Sequence, residues 1–304
     1  MKIIIGTRTS NLAMWQTRHI QAKLTAAWAE ITCEIRPYST KGDETQKLDQ
    51  PLPEIGGKGL FTEALENGLK NGEIDIAVHS LKDLPVDQNN GIILGAIVGR
   101  EDARDGLVTA DPNIKLGNLP VGAVVGTGSL RRQAQLLEMR PDLQVRSIRG
   151  NVETRIQKVL DGRYDATILA LAGVKRLGIS DQVSQIFPLD VLLPAPGQGA
   201  MGVQCREEDS ETRRLLNAIH QQEVEACTTA ERTFLHTLQG GCATPVGAYA
   251  QFDRWEIHLQ GLVGAPDGSK IIRVEHRDVD PQKVATAVAK KAVAQGANAL
   301  LFDS

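Results

Sequence analysis

Three groups of residues in this 304-residue chain could do chemistry. The first is HSLKDLP, 79–85, where Ser80, Lys82 and Asp83 follow an apolar strand signal. Open α/β sheets bind ligands outside the carboxyl ends of their strands. Pro85 disfavours helix at Leu84, so Asp83 is expected in an extended turn. Lys82 and Asp83 then alternate in direction, and at most one points into a cleft near Ser80. Taken alone, the fragment also reads as a solvated loop with an incidental Lys–Asp pair. The second group is arginine. From Arg131 to Arg176, eight arginines and two lysines meet five acids. The planar arginine fork binds carboxylate or phosphate in bidentate fashion. Arg131, Arg132, Arg149 and Arg155 follow strand signals, and Arg8 occupies the matching turn near the start of the chain. Helix N-termini capped by Ser10 and Ser129 would add backbone donors for anions. This is either a cleft for a polyanion or a surface of scattered arginines balanced by acids. The third group is LQGGCATPVG, 238–247, where two glycines before Cys242 permit an exposed sulfur. No histidine lies close in sequence to pair with Cys242, so spacing alone also allows a structural turn with an inert thiol.

These residues need elements to hold them. Lys2–Ile5 reads as a strand ending at Gly6. Ser10 caps a helix to about Trp28, with Leu12, Trp15, His19, Ile20, Leu24 and Ala27 near one stripe. Residues 31–39 read as a strand, and 40–59 as a long polar loop. Helical period returns at Leu60, Phe61, Ala64, Leu65 and Leu69, before a strand at 74–78. A second segment repeats this grammar, with strands at Val121–Val125, Leu143–Ser147 and 164–171, and helices after Ser129 and over 151–162. GEIDIAVHS at 72–80 matches GRYDATILA at 162–170, and GTRTS at 6–10 matches GTGS at 126–129. Such weak repeats in the same order predict two lobes of like construction with parallel sheets. LLPAPGQGAMGVQCR, 192–206, reads as a linker or crossover. After Glu223 the grammar becomes helix, three strands and helix, with a hairpin at Asp267-Gly268.

Composition removes several classes. Hydrophobic residues are 41% and charged residues 23%, as in globular proteins. No apolar run nears the ~18 residues of a membrane span, so no membrane partner is expected. The opening MKIIIGTRTS turns polar after three isoleucines, so no export signal is expected and the cytoplasm is the expected compartment. A net charge of -3 and 4% aromatics argue against a nucleic-acid partner. Cysteines at 33, 205, 227 and 242 form no CxxC pair, so neither a zinc site nor a disulfide framework is expected, and no metal. GTGS lacks the third glycine of a dinucleotide turn, and no GxxxxGK[ST] loop occurs. Two other classes stay open on these residues: a non-enzymatic binder of a small polyanion, and a metal-assisted phosphate-ester enzyme.

Taken together the motifs resemble the porphobilinogen deaminase family. They are GTRTSNLAMWQ (6–16), GGKGLF (56–61), AVHSLKDLP (77–85), GTGSLRRQ (126–133), IRGNVETR (148–155), LAGVKRLG (171–178), LPAPGQGAMGVQCR (193–206) and AERTFLHTLQGGCATPVG (230–247). The resemblance implies an α/β fold with two doubly wound lobes like those of periplasmic binding proteins, plus a small α+β C-terminal domain. It implies domain 1 at 1–98 and 194–219, domain 2 at 99–193 and domain 3 at 220–304. It implies a transferase that condenses four porphobilinogen molecules, each losing ammonia, onto a dipyrromethane held by Cys242 through a thioether, and then releases hydroxymethylbilane by hydrolysis. Asp83 matches the catalytic aspartate, which stabilises the cation left as ammonia departs. Ser80, Lys82, Asp83, Thr127, Ser129, Arg131 and Arg132 match cofactor-holding positions. Arg8, Ser10, Gln16, Arg149, Arg155, Arg176 and Lys58 match positions for substrate or growing chain. A monomer is expected. Glu54 and Ala103 depart from the family pattern, which often has lysine and proline there.

Overall fold

The computed structural model describes residues 1–39, 62–86, 91–239 and 244–302. Lys58, Cys242, Glu54 and the expected loop at 40–59 lie outside the described residues. In chain order the first elements are β1 (Lys2–Arg8), α1 (Asn11–Ala27), β2 (Thr32–Tyr38), α2 (Glu63–Lys70), β3 (Ile76–Ser80) and β4 (Ile92–Arg100). Next come β5 (Asp105–Thr109), β6 (Val124–Gly126), α3 (Leu130–Met139), β7 (Gln144–Arg146), α4 (Val152–Leu160), β8 (Ala166–Ala170), α5 (Leu171–Arg176) and β9 (Gln185–Ile186). The chain closes with β10 (Ala200–Arg206), α6 (Ser210–Asn217), α7 (Gln222–Thr237), β11 (Val246–Asp253), β12 (Glu256–Gly264), β13 (Ile271–Asp278), α8 (Pro281–Ala294) and α9 (Ala297–Phe302).

Contacts divide the chain into two compact units. The first takes Met1–Glu101 and Gly199–Val224, and its sheet runs β2-β1-β3-β10-β4. The second takes Asp102–Gln198 and Glu225–Ser304. It holds a sheet ordered β7-β6-β8-β5-β9 and a three-stranded sheet ordered β11-β12-β13. The two five-stranded sheets share one plan. In each, the second strand of that order pairs in parallel with both neighbours, and a strand from elsewhere in the chain adds antiparallel beside the third. The expected all-parallel sheets are therefore mixed sheets. The reason lies in β10 and β5, which enter against the direction of β3 and β8.

The repeated Gly-x-x-Asp has a structural cause. Gly72 and Gly162 adopt φ of 70° and 73° after α2 and α4, a left-handed turn that suits glycine. Three residues later, Asp75 and Asp165 each grip the neighbouring strand. Asp75 Oδ2 accepts from Ile4 N–H at 2.8 Å, and Asp165 Oδ2 from Val124 N–H at 2.7 Å. Their own N–H groups donate back to the same residues' carbonyls, both at 2.9 Å. Each aspartate thus sets the register of the central strand of its sheet.

Packing follows the apolar pattern, with one shift. Ile3 and Ile5 of β1 meet Ile20 and Leu24 of α1 in a core shared with β3, β4 and β10. The buried stripe of α1 is Ala13, Gln16, Thr17, Ile20 and Leu24. Trp15 is exposed and stacks on His19 at 5.1 Å, so neither belongs to the inner stripe as expected. The 192–206 stretch is not a linker throughout: its second half is β10, buried between β3 and β4. At the C-terminal sheet, Phe234, Leu259, Val284 and Val288 share one core.

The preceding 193–198 segment is tied down inside the second unit. Ala248 N–H donates to Pro194 O at 2.9 Å. The buried Glu231 carboxylate accepts from Gly197 N–H and Ala250 N–H, each at 2.7 Å. Glu231→Gln replaces one acceptor oxygen with a donor and leaves a buried N–H unmet. It is expected to lower the unfolding free energy by about 1–3 kcal/mol, read from the urea midpoint. A midpoint equal to that of the parent chain would contradict this role for Glu231.

Candidate functional site

The first unit gathers its candidates at the carboxyl ends of β1 and β3. Arg8 ends β1, and Ser10 caps α1, its Oγ accepting from Ala13 N–H at 3.3 Å. Ser80 ends β3, and its Oγ accepts from Gln16 Nε2 at 2.9 Å. Arg8, Ser10, Gln16, His79, Ser80 and Asp83 line one small cavity of about 70 Å³. Leu81–Asp83 form a 3₁₀ turn rather than the expected extended turn. Pro85 holds the residue before it, Leu84, extended at φ -80° and ψ 131°, and the constraint does not reach Asp83. The exposed Asp83 lines the cavity, and the half-buried Lys82 does not.

The second unit repeats the placement. Thr127 follows β6, and its Oγ1 accepts from Ser129 N–H at 3.2 Å. Ser129 caps α3 as expected, accepting from Arg132 N–H. Arg149 lies half-buried between β7 and α4. Asn151 caps α4, and Arg155 Nε donates to Gly150 O at 2.9 Å. Arg176 ends α5 and is buried. These residues therefore follow β6, β7 or β8, the parallel trio of that sheet.

Arg131 and Arg132 are not surface cations. Both are buried in the first turn of α3. Arg131 Nη2 donates to Asp105 Oδ2 at 2.8 Å, and Arg132 Nη2 to Asp105 Oδ1 at 2.7 Å. Their Nη1 atoms donate to Leu193 O and Ile168 O. Asp105, 0% exposed, also accepts from Gln198 Nε2 at 2.9 Å. Burial works against the Arg131 charge, and Asp105 works for it. Among the described residues, the Nε atoms of both arginines are buried with no hydrogen-bond partner. Such donors fit an acidic ligand, because a buried N–H without an acceptor is costly. Gly247, five residues after Cys242 in sequence, packs beside this pair. A Cβ there would meet Leu193 O at 3.1 Å and Arg131 Cδ at 3.4 Å.

The expected free thiols are free: Cys33 is half-buried, and Cys205 and Cys227 are buried. Burial pushes the Cys205 thiol up to about 11 and raises Cys33 as well. A thiol held protonated is a poor nucleophile. Among the described residues, no group of three or more His, Cys, Asp or Glu could hold a metal ion, and no helix is long and apolar enough to cross a membrane.

Asp105, Gln198 and His79 were not among the site residues expected from sequence. Asp105 carried one signal, an acid opening the apolar run GLVT.

The two five-stranded sheets share one plan within an α/β fold, and in each the candidate donors follow the carboxyl ends of the parallel strands. Residues 3–214 match the porphobilinogen deaminase dipyromethane cofactor binding domain, and residues 225–294 match the porphobilinogen deaminase C-terminal domain. The chain belongs to the porphobilinogen deaminase family. It is a transferase of porphyrin and heme biosynthesis that works on porphobilinogen toward tetrapyrrole and uses a dipyrromethane cofactor. Solved structures of similar shape include a double mutant of the BvgS VFT2 domain from Bordetella pertussis, at 13% identity over 72% of this chain and 86% of that one, with a TM-score of 0.42. A TRAP periplasmic solute binding protein from Desulfovibrio salexigens matches at 10% identity over 74% of each chain, TM-score 0.44. The methionine binding protein MetQ matches at 11% identity over 74% of this chain and 92% of that one, TM-score 0.46.

His79 gives this region a pH signature. Burial pushes it down to about 4 from 6.5; a Gln204 hydrogen bond opposes this in part, and the Arg8 charge adds to it. The folded chain thus keeps His79 neutral where the unfolded chain protonates it. The stability this brings is present above pH 6.5 and is lost as pH falls toward 4, about 3 kcal/mol in all. The His79 ring proton resonance should titrate with a midpoint near 4. A midpoint near 6.5 in the folded protein would contradict the buried neutral ring.

Proposed function

We propose that the chain condenses four porphobilinogen molecules in sequence, each with loss of ammonia, onto a dipyrromethane joined to Cys242 by a thioether, and then releases hydroxymethylbilane by hydrolysis. The observation that carries this reading is the company Asp83 keeps. An exposed carboxylate lines a small cavity with Arg8, Ser10, Gln16 and Ser80, all of them donors suited to a carboxylated ring. When bound, the dipyrromethane supplies a permanent primer that the product leaves behind.

The chain's own residues then divide the work by chemistry. Each pyrrole ring carries acetate and propionate, so a growing chain accumulates negative charge. Arg8, Arg149, Arg155 and Arg176, with Ser10, Gln16 and Lys58, receive the carboxylates of incoming substrate and growing chain. Arg131, Arg132, Thr127, Ser129, Ser80 and Lys82 would hold the primer, and Asp83 would accept from pyrrole N–H groups. The orphaned Nε donors of Arg131 and Arg132 support that role. Loss of ammonia leaves a cation on the substrate, and a fixed carboxylate at Asp83 stabilises it. The same oxygen accepts a proton when the new ring loses one. The raised thiols of Cys33 and Cys205 favour Cys242 as the attachment point. We further infer three working domains, 1–98 with 194–219, 99–193 and 220–304, in a cytoplasmic monomer.

Two variants test the reading. Cys242→Ser should lack the mass of one dipyrromethane on intact-protein mass spectrometry and be inactive. Extra mass on Cys205 or Cys227 in active protein would sink the assignment. Asp83→Asn keeps the side chain's shape and removes its charge, so turnover should fall by roughly a hundredfold or more. Near-normal turnover in this variant would refute the catalytic role of Asp83.

A further inference from the structure

The Arg131–Arg132 cluster holds more positive than negative charge. Two guanidinium groups, both buried, meet one carboxylate, that of Asp105. Charges taken out of water are tolerated when paired and are costly when not. Asp105 cannot neutralise both arginines, so one net positive charge stays buried in this cluster. Asp105 is also fixed from behind. Gln198 Nε2 donates to its Oδ1 at 2.9 Å and to Ala103 O at 2.6 Å. Each carboxylate oxygen takes a different arginine, so the two forks are held by one rigid group. The Leu193 and Ile168 carbonyls hold the other ends of the forks. Among the described residues, what is left on each guanidinium includes an unmet Nε–H.

We infer that Asp105 is the positioning residue that orients Arg131 and Arg132 and leaves them with one net positive charge, set to receive a single carboxylate of the dipyrromethane. The inference rests on the reading of these arginines as cofactor holders and names the residue that prepares them. Asp105 touches neither substrate nor cofactor in this role. It acts through the two forks, and Gln198 acts through Asp105.

The test measures cofactor loading on the full chain by intact mass after incubation with porphobilinogen, with melting temperature alongside. Arg131→Leu and Arg132→Leu are controls. Asp105→Asn should stay folded and load at least about tenfold less than the parent chain. The fraction that does load should keep its KM for porphobilinogen within about twofold. A purely structural role would not separate loading from KM in this way. If Asp105→Asn loads like the parent while the arginine variants do not, the positioning role is wrong and the cofactor reading stands. If the arginine variants load like the parent, the cofactor reading of those arginines fails, and this inference with it. Should Asp105→Asn not fold, Asp105→Glu carries the test, since it keeps the charge and moves it by one methylene. Reduced loading in folded Asp105→Glu supports the assignment, and parent-like loading overturns it. If neither variant folds, Asp105 holds the fold rather than the arginines, and the assignment fails.

Discussion

Two guanidinium groups sharing one carboxylate in the protein interior set the terms for the second unit. A buried cation must be answered by an anion or by several carbonyls. Here Asp105 answers Arg131 and Arg132 together, and the carbonyls of Leu193 and Ile168 take further hydrogens. That requirement reaches outward. Leu193 is itself held by Gln135, whose amide both accepts from its N–H and donates to its carbonyl. Gln198, a few residues on, completes the Asp105 shell. The 193–198 segment therefore belongs to the charge cluster as much as to the backbone path. Glu231 and Pro194 then join that segment to the C-terminal sheet. The strand entered just after Cys242 is thus anchored to the structure that holds the arginines.

The two five-stranded sheets show how one local device can serve twice. A helix ends at a left-handed glycine, and an aspartate three residues on clamps the start of the next strand over. This fixes the register at the amino ends of the parallel strands, and the candidate residues emerge from the opposite, carboxyl ends. The units differ in what they present there. The first presents an exposed carboxylate, Asp83, in a cavity with a few donors. The second presents arginines, two of them deeply buried. A carboxylate suits a transient cation, and a fixed set of arginines suits a ligand that stays.

Much of this was legible from residue types. Ser10 and Ser129 announce their helices because a hydroxyl before an apolar period can take an orphan helical N–H, and both do. The C-terminal hairpin is legible from Asp267-Gly268, where Gly268 takes φ 73°. The Ala200–Arg206 strand was not. Its glycines and the prolines before it argue for a linker, and only the open edges of β3 and β4 make it a strand. Trp15 and His19 match the helical period yet face outward, because Gln16 and Thr17 form inward bonds to Ser80 and to the Ala13 carbonyl. Asp105 was invisible for a different reason. A lone acid beginning a strand has no motif, and its partners lie 26, 27 and 93 residues away. Local spacing leaves Asp83 and Cys242 open, and the reacting roles proposed for them rest on the family resemblance.

On the function proposed above, the chain builds its product while covalently attached to it. Intact-protein mass spectrometry during turnover on limiting porphobilinogen measures that directly. A ladder of discrete protein masses is expected above the cofactor-bearing form, each one ring heavier than the last, which collapses to the starting mass as substrate runs out. A single unchanged protein mass throughout, while tetrapyrrole accumulates in solution, would contradict it.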